Sequence, residues 1–154
     1  MSLQNLLQNN KIEKISSDIA TAQTRLNKAY KLYHFVENNL SNIGNEEILY
    51  NQIYDSMRLA CTAVLDLNGY RVKTSGPGHH MVTIKAAALL MENDLANEFK
   101  RIQRMRKNRN ALEYGCYTDI SSTELKQGIK DASGLLKRVA EMITKNEPNL
   151  LNII

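Results

Sequence analysis

The sequence predicts an all-α fold, an antiparallel bundle of four to five helices in a single domain covering residues 1–154. Three observations predict it. Apolar residues recur at spacings of three and four over several long stretches, the period of one helix face. The chain has only 2 Pro and 7 Gly in 154 residues, which leaves little room for long loops. No stretch alternates apolar and polar residues as a half-buried strand would.

The elements follow in chain order. From about residue 10 to 38, Ile12, Ile15, Ile19, Ala22, Leu26, Ala29, Tyr33 and Val36 form one apolar stripe, which predicts a long first helix. Residues 1–9 extend that helix or form a short turn of their own. The stretch 39–45 reads as a connection. A second helix is expected from about Glu46 to Asn68, striped by Leu49, Ile53, Met57, Ala60, Val64 and Leu67. Glu46 and Glu47 suit its first turn, and Gly69 suits a left-handed stop. Loop 69–79 contains Gly-Pro-Gly. A shorter helix then covers about His80 to Met91, and Asp94 is the expected cap of the next, from Leu95 to Tyr114. Gly115 and CYTDIS end that helix. Ser121 or Ser122 caps the last, whose apolar face is Leu125, Ile129, Leu135, Leu136, Val139 and Ile143. Pro148 follows its end, and the bundle core spans roughly residues 10–145.

The helix expected over 95–114 carries the most informative pattern. At about 100° per residue, Leu95, Phe99 and Ile102 fall within about 60° of one another. The line continues as Arg106, Arg109, Asn110 and Glu113 (spaced i, i+3, i+4, i+7), with Tyr114 at its edge. Polar groups on a core stripe are costly unless paired, so this cluster either forms a satisfied network or lines a cleft. Arginine suits bidentate contact with phosphate oxygens. Asn110 suits a phosphate or sugar hydroxyl, and Glu113 suits holding Arg109 or accepting a proton. Ordinary helix decoration is the competing account, because Arg109 and Glu113 also make an i, i+4 pair. The position on the stripe argues against it, since decoration belongs on the outer face. Lys100, Arg101, Arg104 and Lys107 do fall on outer faces, where solvated cations form an electrostatic fringe for RNA.

Charge supports a local site. The chain carries +4 overall, but 100–109 holds six cations and no acid, so the rest of the chain sums to −2. Basicity concentrated on one segment fits a phosphate-binding surface. No apolar run approaches the ~20 residues that span a bilayer. The first residues lack the pattern of a secretory signal, so no membrane and a cytoplasmic location are expected. Cys61 and Cys116 are too few for a disulfide framework and read as reduced thiols. Gly76-Pro77-Gly78-His79-His80 lacks the phosphate-loop signature. The adjacent His79 and His80 with Cys61 or Cys116 lack zinc-ligand spacing. No metal or cofactor is therefore expected. His34 reads as a packed core or rim histidine, and Lys85 as a surface lysine.

The run R-x-x-R-N-x-x-E-Y, Arg106 to Tyr114, resembles the motif region of the HEPN superfamily (higher eukaryotes and prokaryotes nucleotide-binding domains). Segment 56–70, followed by a loop and His79-His80 opening a short helix, resembles the middle of such domains. The resemblance implies a small helical bundle, often homodimeric, and in many members a metal-independent ribonuclease, several of them toxins of toxin–antitoxin pairs. It also implies an Arg, a polar residue and, four to six residues on, a His. Arg109 and Asn110 match by position. Tyr114 stands where the His is expected. Tyrosine titrates near about 10 and histidine near about 6.5, so Tyr114 is a poor proton carrier at neutral pH. Glu113, or His79 or His80 reaching the cleft, would have to serve instead. In some HEPN toxins a tyrosine next to the motif is nucleotidylated by a partner enzyme. Tyr114 and Tyr117 are read here as packing or rim tyrosines.

The leading expectation is thus an RNA- or nucleotide-binding HEPN-like homodimer with metal-independent endoribonuclease activity. Arg109, Asn110, Glu113 and Tyr114 would be its catalytic residues, and Arg106, Lys107 and Arg104 its phosphate and RNA contacts. The second expectation is a catalytically silent dimerisation module that binds a protein partner such as a nucleotidyltransferase or an antitoxin.

Overall fold

The computed structural model describes residues 2–41, 44–73, 78–92, 94–113 and 119–146. Among these the chain forms six helices and one two-stranded sheet: α1 (Leu3–Gln8), β1 (Ile12–Lys14), α2 (Ile19–Asn38), α3 (Glu46–Asn68), β2 (Tyr70–Val72), α4 (His79–Leu90), α5 (Ala96–Glu113) and α6 (Ser122–Asn146). The architecture is the expected all-α bundle.

The N-terminal third departs from the sequence reading. The first long helix starts at Ile19, not near residue 10, because two local signals override the periodicity. Asn10 adopts φ 56° after α1. Asp18 then caps α2, accepting from the Thr21 backbone N–H at 2.9 Å and from the Thr21 hydroxyl at 2.7 Å. Residues 12–14 lie between these breaks as a strand. They pair antiparallel with β2, in the register Ile12↔Val72, Glu13↔Arg71 and Lys14↔Tyr70. Ile12, expected on a helical stripe, is 1% exposed in the core through this sheet. Residues 2–8 form their own helix, closed by a reciprocal Ser2–Asn5 capping box.

Helices α2 and α3 form an antiparallel hairpin. The buried Ser56 hydroxyl donates to the Ala29 carbonyl at 2.7 Å, and Arg25 Nε donates to Asp66 at 2.5 Å. Thirteen of the 23 residues of α3 are buried, on every side but the face of Asn51, Asp55, Arg58 and Thr62, so α3 is the axis on which α2, α4, α5 and α6 pack. It ends at Gly69, whose φ of 77° is left-handed. A Cβ there would sit 2.7 Å from the Ile15 carbonyl oxygen, so glycine is what lets the strand preceding α2 run alongside.

The other ends are also local. Ser121 caps α6, its hydroxyl accepting from the Glu124 N–H at 3.0 Å. The carboxylate of Asp94, the expected cap of α5, instead takes Arg138 Nε of α6 at 2.7 Å. Leu125, Leu135, Leu136, Val139 and Ile143 of α6 are buried, as their spacing predicts. One packed core cluster joins all six helices and β1.

Candidate functional site

Helix α5 sets the site. Its buried line runs Phe99, Ile102 and Met105, each at most 5% exposed. At about 100° per residue, Arg109 projects between Ile102 and Met105, so it continues that line directly. Arg106 projects between Phe99 and Ile102 on the same line and is half-buried, with its Nε donating to Gln103 Oε1 at 2.9 Å. Asn110 lies on the far edge of this face and is exposed, so it does not join the cluster as the sequence spacing suggested. Lys107 is exposed, and Arg104 turns toward α6. Glu113 ends α5, and its side chain lies outside the described residues, as do Tyr114, Cys116 and Tyr117.

Three helices converge where Arg109 meets α3. Its guanidinium lies 5.3 Å from the Tyr54 ring centroid and 3.5 Å from Asp55 Oδ1. Asp55 Oδ1 also faces Arg58 at 3.7 Å, one turn along α3. From α4, His79 and His80 stack edge-to-face at 4.3 Å, and His80 lies within electrostatic reach of Arg58, Arg109 and Asp55. Burial, reinforced by Arg58, His79 and Arg109, holds His80 down to about 4, so its imidazole is neutral at neutral pH. Burial pushes the Tyr54 phenol up to about 12 against the pull of Arg58, Arg109 and Arg106, so it is a fixed hydrogen-bond donor.

This cluster is under-satisfied. Tyr54 Oη, Asp55 Oδ1, Arg58 Nε and His79 Nδ1 are all buried and lack a hydrogen-bond partner. Elsewhere buried charges are well matched. Asp131, only 2% exposed, accepts from Arg101 Nε at 2.7 Å, Arg101 Nη2 at 2.9 Å and Gln127 at 2.9 Å. Arg101, expected as a solvated fringe cation, is in fact the partner of that buried acid. Four such atoms therefore lie together beside a guanidinium on a core line.

Of the residues singled out from the sequence, Arg109 and His80 meet here; Tyr54, Asp55 and Arg58 were not singled out. Nothing on α3 alone marks Asp55 and Arg58, which lie on its partly exposed face at 24% and 27% side-chain exposure. Two openings flank the cluster's helices. Arg58, His79 and His80 line a cleft of about 860 Å³ that reaches the β1–β2 sheet. Arg104 instead lines a separate pocket of about 260 Å³ between α5 and α6, with Tyr50, Asn108 and Gln127. Cys61 is buried and its thiol is pushed up to about 12, so it is not a nucleophile. His34 is exposed, paired with Glu37 and stacked on Tyr30.

Among the described residues no cluster of His, Cys, Asp and Glu could hold a metal ion, and no helix is long and apolar enough to cross a membrane. No family model matches the chain, and neither a curated protein nor a solved structure with significant similarity is found.

Proposed function

We propose that this protein is a HEPN-like RNA-binding domain and a metal-independent endoribonuclease, with its centre at Arg109, Arg58, Tyr54 and His80. The observation that carries the reading is the group of buried, partnerless polar atoms around the Arg109–Arg58 pair. A phosphodiester beside them meets the accessible parts of the two guanidiniums, Arg58 at 27% and Arg109 at 33% side-chain exposure, and its charge offsets the cation that the single acid Asp55 leaves over.

Chemistry follows from His80. A neutral imidazole is in the right form to take a proton from a ribose 2′-hydroxyl. The 2′-oxygen then bonds to phosphorus, the bond to the 5′-oxygen breaks, and that oxygen takes a proton from water. The guanidiniums stabilise the charge that builds on phosphorus oxygens. Phosphate binding also feeds back on His80, since a nearby anion offsets the cations that depress its pKa and makes it a better base. His80 thus takes over the role that Tyr114 is poorly suited to fill. Arg106 and Lys107 extend the basic surface, and a homodimer would place two such surfaces together.

The second reading, a silent module that binds a protein partner, draws on the Arg109–Asp55 pair, which partly satisfies the arginine internally. One experiment separates them. Purified protein is incubated with labelled RNA in EDTA at low salt. Binding and cleavage that fall in Arg109→Ala and Arg58→Ala support the proposal. Folded protein that neither binds nor cleaves RNA overturns it and leaves the partner-binding reading.

A further inference from the structure

The cleft of about 860 Å³ beside the cluster is unexplained by phosphate binding alone. It is walled by the β1–β2 sheet, the first turns of α2, the middle of α3 and the start of α4. Its size is within the range of about 300–1,000 Å³ that sites for small organic ligands occupy. Arg58, His79 and His80 belong to both the cleft and the phosphate cluster, so anything held there is contiguous with the proposed scissile phosphate.

The lining suits a nucleoside. Tyr70 of β2 is half-buried and presents an aromatic surface to the cleft. Thr62 and Thr83 spend their hydroxyl hydrogens on the carbonyls of Arg58, at 3.1 Å, and His79, at 2.9 Å. Their oxygens keep lone pairs that can accept from a base or ribose. Two of the three acids are offset by cations, Glu13 by Arg71 and Asp66 by Arg25, while Asp18, bonded to Thr21 as the α2 cap, keeps its charge at the rim. Arg58 within the cleft and the exposed Lys73 add positive charge.

We propose that this cleft is the nucleoside subsite for one unpaired nucleotide of single-stranded RNA, with its base against Tyr70 and its phosphate at the Arg58–Arg109 end. The proposal rests on the phosphate-binding reading above. A base in a duplex is stacked and paired, so it cannot enter; single-strand recognition splays bases onto aromatic side chains. Substrates are therefore loops, bulges or ends.

The test uses a short labelled RNA strand, alone and annealed to its complement, with binding read by fluorescence anisotropy in EDTA at low salt. Wild type is expected to prefer the single strand. Tyr70→Ala should weaken single-strand binding about tenfold, the scale of losing one stacked base, while duplex binding is unchanged. Tyr70 packs partly against the core, so Ser16→Trp provides an independent check. Ser16 is exposed at the cleft wall, and a bulky side chain there obstructs the cleft without disturbing the core. It should lower single-strand affinity by a similar factor. If wild type binds neither RNA, both this proposal and the phosphate reading fall. If wild type binds and Arg109→Ala weakens binding, but Tyr70→Ala and Ser16→Trp bind the single strand as wild type does, only the nucleoside subsite is overturned.

Discussion

Replacing Tyr54 by Phe should make the protein more stable without changing its RNA affinity. The Tyr54 side chain is fully buried, and its hydroxyl has no partner. An unsatisfied buried polar group costs about 1–3 kcal/mol. The low end applies, because Arg58, Arg106 and Arg109 are close enough to stabilise the phenol oxygen electrostatically. Removing the hydroxyl keeps the ring under Arg109 and the packing around it, so about 1 kcal/mol should be regained. At about 2.1 cal/mol/K per residue, unfolding 154 residues releases about 0.32 kcal/mol/K, so Tm should rise by about 3 °C. Binding should not move, because the hydroxyl has no surface that a ligand can reach. Calorimetry gives the first quantity and anisotropy with single-stranded RNA the second. A fall in Tm would mean that the hydroxyl is satisfied in the folded protein and would refute the orphan argument. A rise in Tm with weakened affinity would mean that the cluster opens to bring the hydroxyl to the RNA, and would refute the closed geometry.

Other predictions follow from the same structure. His80 has a folded-state pKa of about 4, below the 6.5 of the unfolded chain, so the unfolded state binds more protons between these values. Its contribution is full above pH 6.5 and lost as pH falls through 4; His80→Gln should flatten that part of a urea-midpoint profile while cutting RNA cleavage about a hundredfold or more with binding retained. Arg109→Ala should reduce RNA affinity and lower the slope of log K against log salt by about 1, whereas Lys107→Ala, at an exposed position, should weaken binding less. Gly69→Ala combines a left-handed φ with a Cβ 2.7 Å from the Ile15 oxygen, so it should cost about 2 kcal/mol or more, about 6 °C in Tm by calorimetry. Asp131→Ala removes a buried acid bonded to Arg101 and Gln127. Arg101 remains 32% exposed and can hydrate, so the loss should be about 1–3 kcal/mol by urea denaturation, below the 3–5 kcal/mol of a sealed pair.

The bundle was readable because helix periodicity is a local property. The stripe of α3 and its ends at Glu46 and Asn68 follow from spacing, two acids and one glycine. The stripe of α6 is equally direct. Strand β1 was not readable for a physical reason. Ile12 and Ile15 stand three apart, a spacing that fits a helix face, and a three-residue strand is too short to display alternation. Its stability comes from β2, 58 residues further along the chain, and from Gly69, which lets that pairing approach α2. Neither cause is visible in a window around residue 12. The Asp18–Thr21 cap was the one local clue that α2 begins late.

The site divides along the same line between local and non-local causes. Arg109 could be picked out because helical projection is a one-helix calculation, and its place between Ile102 and Met105 is what α5 alone dictates. Asn110 was misplaced because the apolar line was drawn without Met105. Including Met105 rotates its centre, which carries Asn110 to an exposed edge and Arg109 to the middle. Arg58 and Asp55 needed a second helix. Each is unremarkable on α3 by itself, and each acquires meaning only where α5 crosses it and α4 brings His80 alongside. A single arginine on a core line asks for a partner. Asp55 answers in part, at 3.5 Å, a distance too long for a strong hydrogen bond. What remains unmet around it is mixed: the Arg58 Nε and the Tyr54 hydroxyl donate, and the Asp55 Oδ1 accepts. Two guanidiniums share that one acid, and the cation left over is the reason to place phosphate beside them. The neutral imidazole of His80 on the same cluster is the reason to treat it, rather than Tyr114, as the group that moves the proton.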